Sequence, residues 1–267
     1  MNSVPLGITS IGRRVRGGSQ ARLVLCEDSH WYIAKFAGNP QGNRTLINEC
    51  FAGQVLKDMD VCTSKLRVLR LPQELETDDL YFQIGNRRVR PQGRLHLGCQ
   101  CPVNPETTMI LDFLPCRLLR NVVNLSEFAP MLVFDKWTAN TDRRQVIFVR
   151  DRSSFGGIGF RAYFIDHGMI LNGAQWQLRD AKLDGVYFRS EVYSLIALEA
   201  LIEQAICRLE TIAKASLLAT LDGIPSSWFA PGDREFFVSL VGELHQRQPK
   251  MRFIVAQHLK ALDLLIP

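Results

Sequence analysis

The stretch VFDKWTANTDRRQVIFVRD (residues 133–151) sets Asp135 and Trp137 just ahead of Asn140, Asp142 and Gln145, then turns at once into a β-branched apolar run. A carboxylate between amides, where a helix gives way to a strand, serves one of two purposes. It is turn chemistry, because Asn and Asp bond their own backbone and tolerate left-handed dihedrals, or it is a catalytic loop that orients a nucleophile. A second acidic position carries the same ambiguity. In RAYFIDHGMIL, Asp166 ends an apolar strand and precedes His167 and Gly168. That pattern fits an ordinary turn. It also suits a carboxylate presented to Mg2+, a cation that prefers hard oxygen donors to imidazole, with the glycine letting the chain bend away.

Cationic and backbone donors lie upstream. In HWYIAKFA, Lys35 interrupts an otherwise apolar strand. It is either an exposed edge lysine or a cation aimed at phosphate, in which case Glu49 of the following helical stretch is its natural partner. In VRGGSQARLVL, Gly17, Gly18, Ser19 and Gln20 fall between two extended segments. A tight hairpin explains them. So does a phosphate-binding loop, since glycine lacks the Cβ that keeps ligand oxygens away from backbone N–H groups.

These residues need a scaffold, and the apolar patterning supplies one. Short alternating runs, ARLVLCE, HWYIAKFA, KLRVLRL, DLYFQIG and TTMILDFLP, predict strands of an antiparallel sheet. One helix interrupts them over TLINECFAGQVLKDM, where Leu46, Cys50, Val55 and Leu56 share a face. Beyond about Leu118 helical patterns dominate, apart from a strand pair at 145–150 and 161–165. Leu195, Leu198, Ile202, Ile206, Leu209 and Ala213 keep three-and-four spacing, and two shorter helices are expected after DGIPSSW and after Pro249. The expected fold class is α+β: a β-rich lobe with one helix, then a mainly helical lobe.

The 267 residues, 46% hydrophobic and 22% charged, have an ordinary globular composition. No run reaches the roughly 18 apolar residues of a membrane span, and no secretory pattern opens the chain, so a soluble, cytoplasmic protein is expected. Seven scattered cysteines do not read as a disulfide framework. In HLGCQC, His96, Cys99 and Cys101 lack a second ligand pair at zinc spacing. The net charge of +5 is locally concentrated at Arg13, Arg14 and Arg16 and at Arg87, Arg88 and Arg90. Such clusters suit the phosphates of a nucleotide, a membrane surface or nucleic acid. No zinc finger, basic zipper or RNA-binding signature accompanies them, which leaves nucleic acid a minor reading.

Taken in order, the glycine loop, strand lysine, helix glutamate, acidic loop and Asp-x-Gly follow the parts of kinase phosphoryl transfer. The segments RRVRGGSQARLVL, HWYIAKFAGNPQ, INECFAG, FDKWTANTDRRQVIF and FIDHG resemble the HipA-like kinases, a bacterial branch distantly related to eukaryotic protein kinases and phosphatidylinositol kinases. The resemblance spreads from about residue 13 to 168 and says little about the phosphate acceptor. It implies a two-lobed protein-kinase-like fold, with an N-lobe at 1–114 and a helical C-lobe at 115–267. It also implies ATP- and Mg2+-dependent transfer of the γ-phosphate to a hydroxyl acceptor, a protein Ser or Thr among the candidates.

On this resemblance Lys35 binds ATP phosphates beneath Gly17, Gly18, Ser19 and Gln20, with Glu49 as its ion-pair partner. Asp142 acts as the catalytic base, Asn140 supports its loop, and Asp166 holds the metal, with His167 where relatives carry phenylalanine. A hinge around Leu111, Asp112, Phe113 and Leu114 meets the adenine. One position departs from the family pattern. The asparagine ligand that relatives carry five residues after the aspartate falls on Ile147, which cannot coordinate a cation. Gln145 is expected to replace it on a shortened loop as a second metal ligand, holding the ion less rigidly. Trp137 is expected to pack beneath the loop, and Asp135 to bond its backbone or Arg143. Two other functions stay open: a nucleotide-binding pseudokinase, and a partner- or nucleic-acid-binding module that uses the arginines.

Overall fold

The computed structural model describes residues 4–152, 159–180 and 184–263. The first part of the chain forms strands β1 (Leu6–Arg14), β2 (Arg22–Cys26), β3 (Trp31–Lys35), β4 (Leu66–Arg70), β5 (Phe82–Ile84), β6 (Arg87–Val89) and β7 (Leu95–Gln100), with helix α1 (Arg44–Asp58) between β3 and β4. In the order β1, β2, β3, β7, β4 these strands close into a barrel, and β5 and β6 make a separate hairpin. The expected single antiparallel sheet is corrected twice. DLYFQIG and TTMILDFLP leave it, for the β5–β6 hairpin and for a sheet of later strands, and at one seam β1 runs parallel to β4 through Leu6 opposite Leu69 and Gly7 opposite Arg70. That seam joins the two strands that would otherwise be edges, so no unpaired edge is left for aggregation. The HLGCQC stretch is itself the strand β7, lying between β3 and β4.

Alternation along the strands divides the barrel's two surfaces. Ile8, Val24, Cys26, Tyr32, Ala34, Phe36, Leu69 and Leu71 form one apolar cluster, completed by Leu80 and Phe82 from the hairpin. Lys35, next to Ala34, therefore points to the other side of β3, where α1 lies. Helix α1 joins a different and larger cluster: Leu46, Ile47, Phe51, Val55 and Leu56 share a core with the helices that follow.

Those elements are β8 (Ile110–Leu111), α2 (Cys116–Leu119), α3 (Phe128–Trp137), β9 (Gln145–Asp151), β10 (Gly159–Ile165), α4 (Glu191–Ser194), α5 (Leu198–Glu210), α6 (Lys214–Ala219), α7 (Asp233–Arg247) and α8 (Met251–Asp263). TTMILDFLP yields only the two-residue β8, because β9 offers it partners at Ile110 and Leu111 alone. Helix α7 has 15 residues against 13 in α5, so the helix after DGIPSSW is not a shorter one. Asp233 and Glu235 in its first turn complement the helix dipole. Nine of the ten residues of α3 are buried, which explains why its sequence is apolar on every face. Pro130 is tolerated there because it falls in the first turn, where no intrahelical N–H bond is lost. Among the described residues no helix is long and apolar enough to cross a membrane.

Candidate active site

The end of α3 sets the position of the Asn140–Asp142 loop. Ala139 adopts a left-handed conformation (φ 49°), and the Asn140 N–H bonds the Asp135 carbonyl at 2.9 Å, while the Ala139 N–H reaches the Lys136 carbonyl at 3.4 Å. This is a Schellman cap, with alanine where glycine is usual. The reversal delivers Asn140, whose Oδ1 accepts the Asp142 N–H at 3.1 Å and whose Nδ2 donates to Asp135 Oδ1 at 2.8 Å. Gly185 closes the loop from above, its N–H bonding the Asp142 carbonyl at 2.7 Å. Trp137 is fully buried, donates to the Leu244 carbonyl at 2.8 Å and stacks on Phe51.

Of the two partners expected for Asp135, the loop's backbone is met through its carbonyl, which accepts the Asn140 N–H. Arg143 is replaced, since the carboxylate pairs with Arg144. The Arg144 guanidinium grips both Asp135 oxygens in a bidentate fork, with Nε 2.9 Å from Oδ2 and an Nη2 bond to Oδ1. Its Nη1 then donates to the Ile165 carbonyl at 2.8 Å and to His167 Nδ1 at 3.1 Å. One buried side chain thus ties the end of α3 to the end of β10. Burial pushes the Asp135 carboxyl up, with Arg144 pulling it back. Burial and the neighbouring Arg144 charge hold His167 well below its ordinary range, so the imidazole is neutral. Because Nδ1 accepts from Arg144, the ring proton belongs on Nε2. The sequence offered no way to choose between Arg143 and Arg144, since two adjacent arginines differ only in which side of the chain they leave.

Across the cleft, Lys35 donates to Glu49 Oε1 and, at 2.7 Å, to Asp166 Oδ1. Asp166 also has a left-handed conformation (φ 58°), which aspartate tolerates better than most residues. Burial alone would lower the Lys35 ammonium and raise the Asp166 carboxyl. The pairing with Glu49 and Asp166 overrides this for Lys35, which is raised, and the pairing with Lys35 overrides it for Asp166, which is lowered. Burial raises Glu49, with Lys35 opposing. The remaining Asp166 oxygen, Oδ2, lies 3.1 Å from Gln145 Nε2, which is 3.3 Å from Asp142 Oδ2. Lys35, Glu49, Asp166, Gln145 and Asp142 therefore form one continuous chain of contacts. Gln145 opens β9, and Ile147 is inside the ladder opposite Tyr163.

Two residues that sequence reading passed over fix α1 to this site. Asn48, wholly buried beside Glu49, donates to the carbonyls of Gly168 at 2.8 Å, Ile170 at 2.9 Å and Gly173 at 3.1 Å, and accepts from Trp176 Nε1 at 2.8 Å. Arg44 pairs with Asp233 of α7 at 2.7 Å and lies 4.3 Å over the Trp176 ring.

The other expected positions fare differently. Gly17 has φ 137° with open space where a Cβ would stand, and Ser19 is buried. The Gln20 side chain is committed to the β5–β6 hairpin, donating to the Gln83 carbonyl at 2.7 Å and accepting its N–H at 2.9 Å. Leu111 is paired with Phe148, and Leu114 is buried, which leaves only Asp112 and Phe113 exposed in the expected hinge. The barrel itself ends earlier, at Gln100.

Among the described residues no group of three or more His, Cys, Asp or Glu is gathered to hold a metal. The oxygen donors of this site, Asp166 with an amide within reach, still fit Mg2+, which takes one or two carboxylates and completes its shell from substrate phosphates and water. The Gln145 amide now presents nitrogen to both carboxylates. Rotating its terminal torsion presents oxygen instead.

No protein-family model and no curated protein sequence matches the chain. Solved structures do. The Helicobacter pylori proinflammatory kinase CtkA matches at a TM-score of 0.56 and 13% identity, over 98% of this chain and 100% of that one. A Golgi casein kinase matches at 0.48 and 9% identity, and its form with Mn and ADP bound at 0.48 and 10%, each over 92% of this chain and 72% of the other. At 13% identity the likeness to the Helicobacter pylori kinase is one of fold, and the chain has a kinase-like fold.

Proposed function

We propose that the chain is an ATP- and Mg2+-dependent phosphotransferase of the HipA-like kinase type, with a nucleotide lobe at 1–114 and a catalytic lobe at 115–267. The observation that carries this reading is the Lys35–Asp166 contact at 2.7 Å between residues 131 positions apart. It supports a single cleft where a cation, a metal-directed carboxylate and, through Gln145, the Asp142 carboxylate converge. Lys35 orients the phosphates, and the Gly17–Gly18 backbone covers them. Asp166, with Gln145, holds the magnesium, which when bound neutralises phosphate charge. Asp142 accepts the proton of the acceptor hydroxyl and aligns it for in-line attack. Positioning and charge neutralisation then account for most of the rate, since phosphoryl transfer asks little covalent work of a protein.

Purified chain incubated with γ-labelled ATP and magnesium should label itself or a generic protein acceptor, and EDTA should abolish the label. A second reading, a nucleotide-binding pseudokinase, is favoured by one observation: the Gln145 amide nitrogen, not an oxygen, faces both carboxylates, while Ile147 takes the position at which the resemblance implies an asparagine ligand. Stabilisation by ATP and magnesium without any transfer or hydrolysis would select it.

A further inference from the structure

The arginine clusters singled out in the sequence play no part in the cleft chemistry, yet the fold brings members of both together. Arg14 of β1 stands directly across the ladder from Arg22 of β2. Like charges in that register repel. The Arg22 guanidinium is lowered by burial and then by Arg14 itself. Arg88 of β6 completes the group. Its guanidinium lies 4.4 Å from the Tyr81 ring centroid, and that of Arg14 lies 5.4 Å from the same centroid.

Arg14 and Arg22 each spend one donor on a backbone carbonyl, Tyr81 at 2.9 Å and Asp79 at 2.7 Å. Among the described residues none of the three arginines is ion-paired with a carboxylate; Asp78, close by, pairs with Arg90. Each guanidinium carries five N–H donors, so most of the donors of this group are uncommitted. The surface begins where the glycine loop ends, because Gln20 is bonded twice to Gln83 of the same hairpin.

We propose that this surface, formed by β1, β2 and the β5–β6 hairpin, binds an acidic polypeptide segment that carries the acceptor hydroxyl. The acceptor part of the proposal rests on the phosphotransferase reading, and the binding part does not. Clustered arginines recognise carboxylate and phosphate groups through forked hydrogen bonds. Single-stranded nucleic acid is the poorer fit. It needs free aromatic faces on which bases stack, and the ring this surface offers, Tyr81, is already engaged by guanidinium groups. An acidic chain relieves the Arg14–Arg22 repulsion and lies beside the glycine loop, whose Gln20 is bonded to the same hairpin.

The test is fluorescence anisotropy with a labelled peptide of alternating Glu and Ser, against a labelled single-stranded oligonucleotide of equal charge, without nucleotide. The wild-type chain should bind the peptide more tightly than the oligonucleotide, and more weakly as NaCl rises. Arg88→Glu should weaken peptide binding at least tenfold. Arg14→Gln, which keeps a donor for the Tyr81 carbonyl, should weaken it several-fold, while Arg120→Glu beyond helix α2 should change it less than twofold. Preferential oligonucleotide binding, equal loss in all three variants, or no peptide binding would overturn the proposal. Peptide binding without transfer to its serines, by a chain that labels itself, would overturn the acceptor part of the proposal; peptide binding with no transfer to any acceptor would overturn the phosphotransferase reading alone.

Discussion

Behind the 138–144 loop the polar groups are dry and, apart from His167 Nε2, satisfied by one another and by backbone, whereas in front of it they are wet and underused. On the inner side, Asp135, Asn140, Arg144 and Asn48 are all buried and bonded to one another, to backbone or to Trp176. On the outer side, Asp142 is half-buried, Gln145 is exposed, and among the described residues the only bonds to the Asp142 Oδ2 and Asp166 Oδ2 oxygens come from the Gln145 amide. The inner network fixes backbone; the outer oxygens are held in place with lone pairs to spare. Stability and chemistry are thus carried by different residues a few positions apart, and substitutions on the two sides should have opposite signatures.

The largest effect on folding belongs to the inner side. Arg144→Met leaves Asp135 charged, buried and without its fork, and should cost about 3–5 kcal/mol of unfolding free energy in a denaturant titration. A loss below about 1 kcal/mol would mean that the buried pair is dispensable and that the two sides do not differ as described.

Acid sharpens the same contrast. His96 lies inside the barrel, accepting the Ala37 N–H at 3.1 Å and packed on Phe36, and burial lowers its pKa to about 3. Its ordinary value is about 6.5. Between those values the unfolded chain binds the proton and the folded chain does not. Stability is therefore complete above about pH 6.5 and falls as the pH drops towards 3. Melting temperatures measured from pH 7 down to pH 4.5 should decline; His167, held low by burial and Arg144, adds a loss of the same sign, so His96→Gln should flatten the slope only in part. Asp166, lowered overall because Lys35 outweighs burial, adds its own loss only below the ordinary aspartate range near 4. An unchanged slope in His96→Gln would assign the acid sensitivity elsewhere.

The smallest effect concerns the cap that turns the chain from the inner to the outer side. Ala139 occupies a left-handed position (φ 49°) that glycine adopts without strain. Ala139→Gly should raise stability by about 0.5–1 kcal/mol, as a shift of the urea midpoint at constant slope. A destabilisation would show that the side chain packs usefully there.

How much of this was legible in the sequence follows the range of the forces involved. Alternation and three-and-four spacing located β2, β3, β4, α1 and α5 to within a residue or three of their ends, because burial on one face acts locally. The strand in HLGCQC was missed, since its cysteines drew attention as ligands while Leu95, Leu97 and Cys99 supplied an ordinary alternation. The barrel seam between β1 and β4 was also missed, as nothing local encodes which distant strands pair. Lys35, Glu49, Asp166, Gln145 and Asp142 were each picked out by residue type and order, and the fold brings them together. Their supports, Arg144, Asn48 and Arg44, were not, because a buried polar side chain is recognised by its partners and those lie more than a hundred residues away for Asn48 and Arg44.

The most direct measurement pairs two conservative variants of the outer side, assayed for magnesium-dependent ATP binding by calorimetry and for transfer of labelled phosphate. Asp142→Asn should keep nucleotide affinity within about twofold while transfer falls by about 10²–10⁴. Asp166→Asn should lose both transfer and the magnesium-dependent part of binding, and both variants should melt close to the wild type. Equal residual transfer in the two, or magnesium-dependent binding that survives in Asp166→Asn, would contradict the assignment of this cleft to phosphoryl transfer.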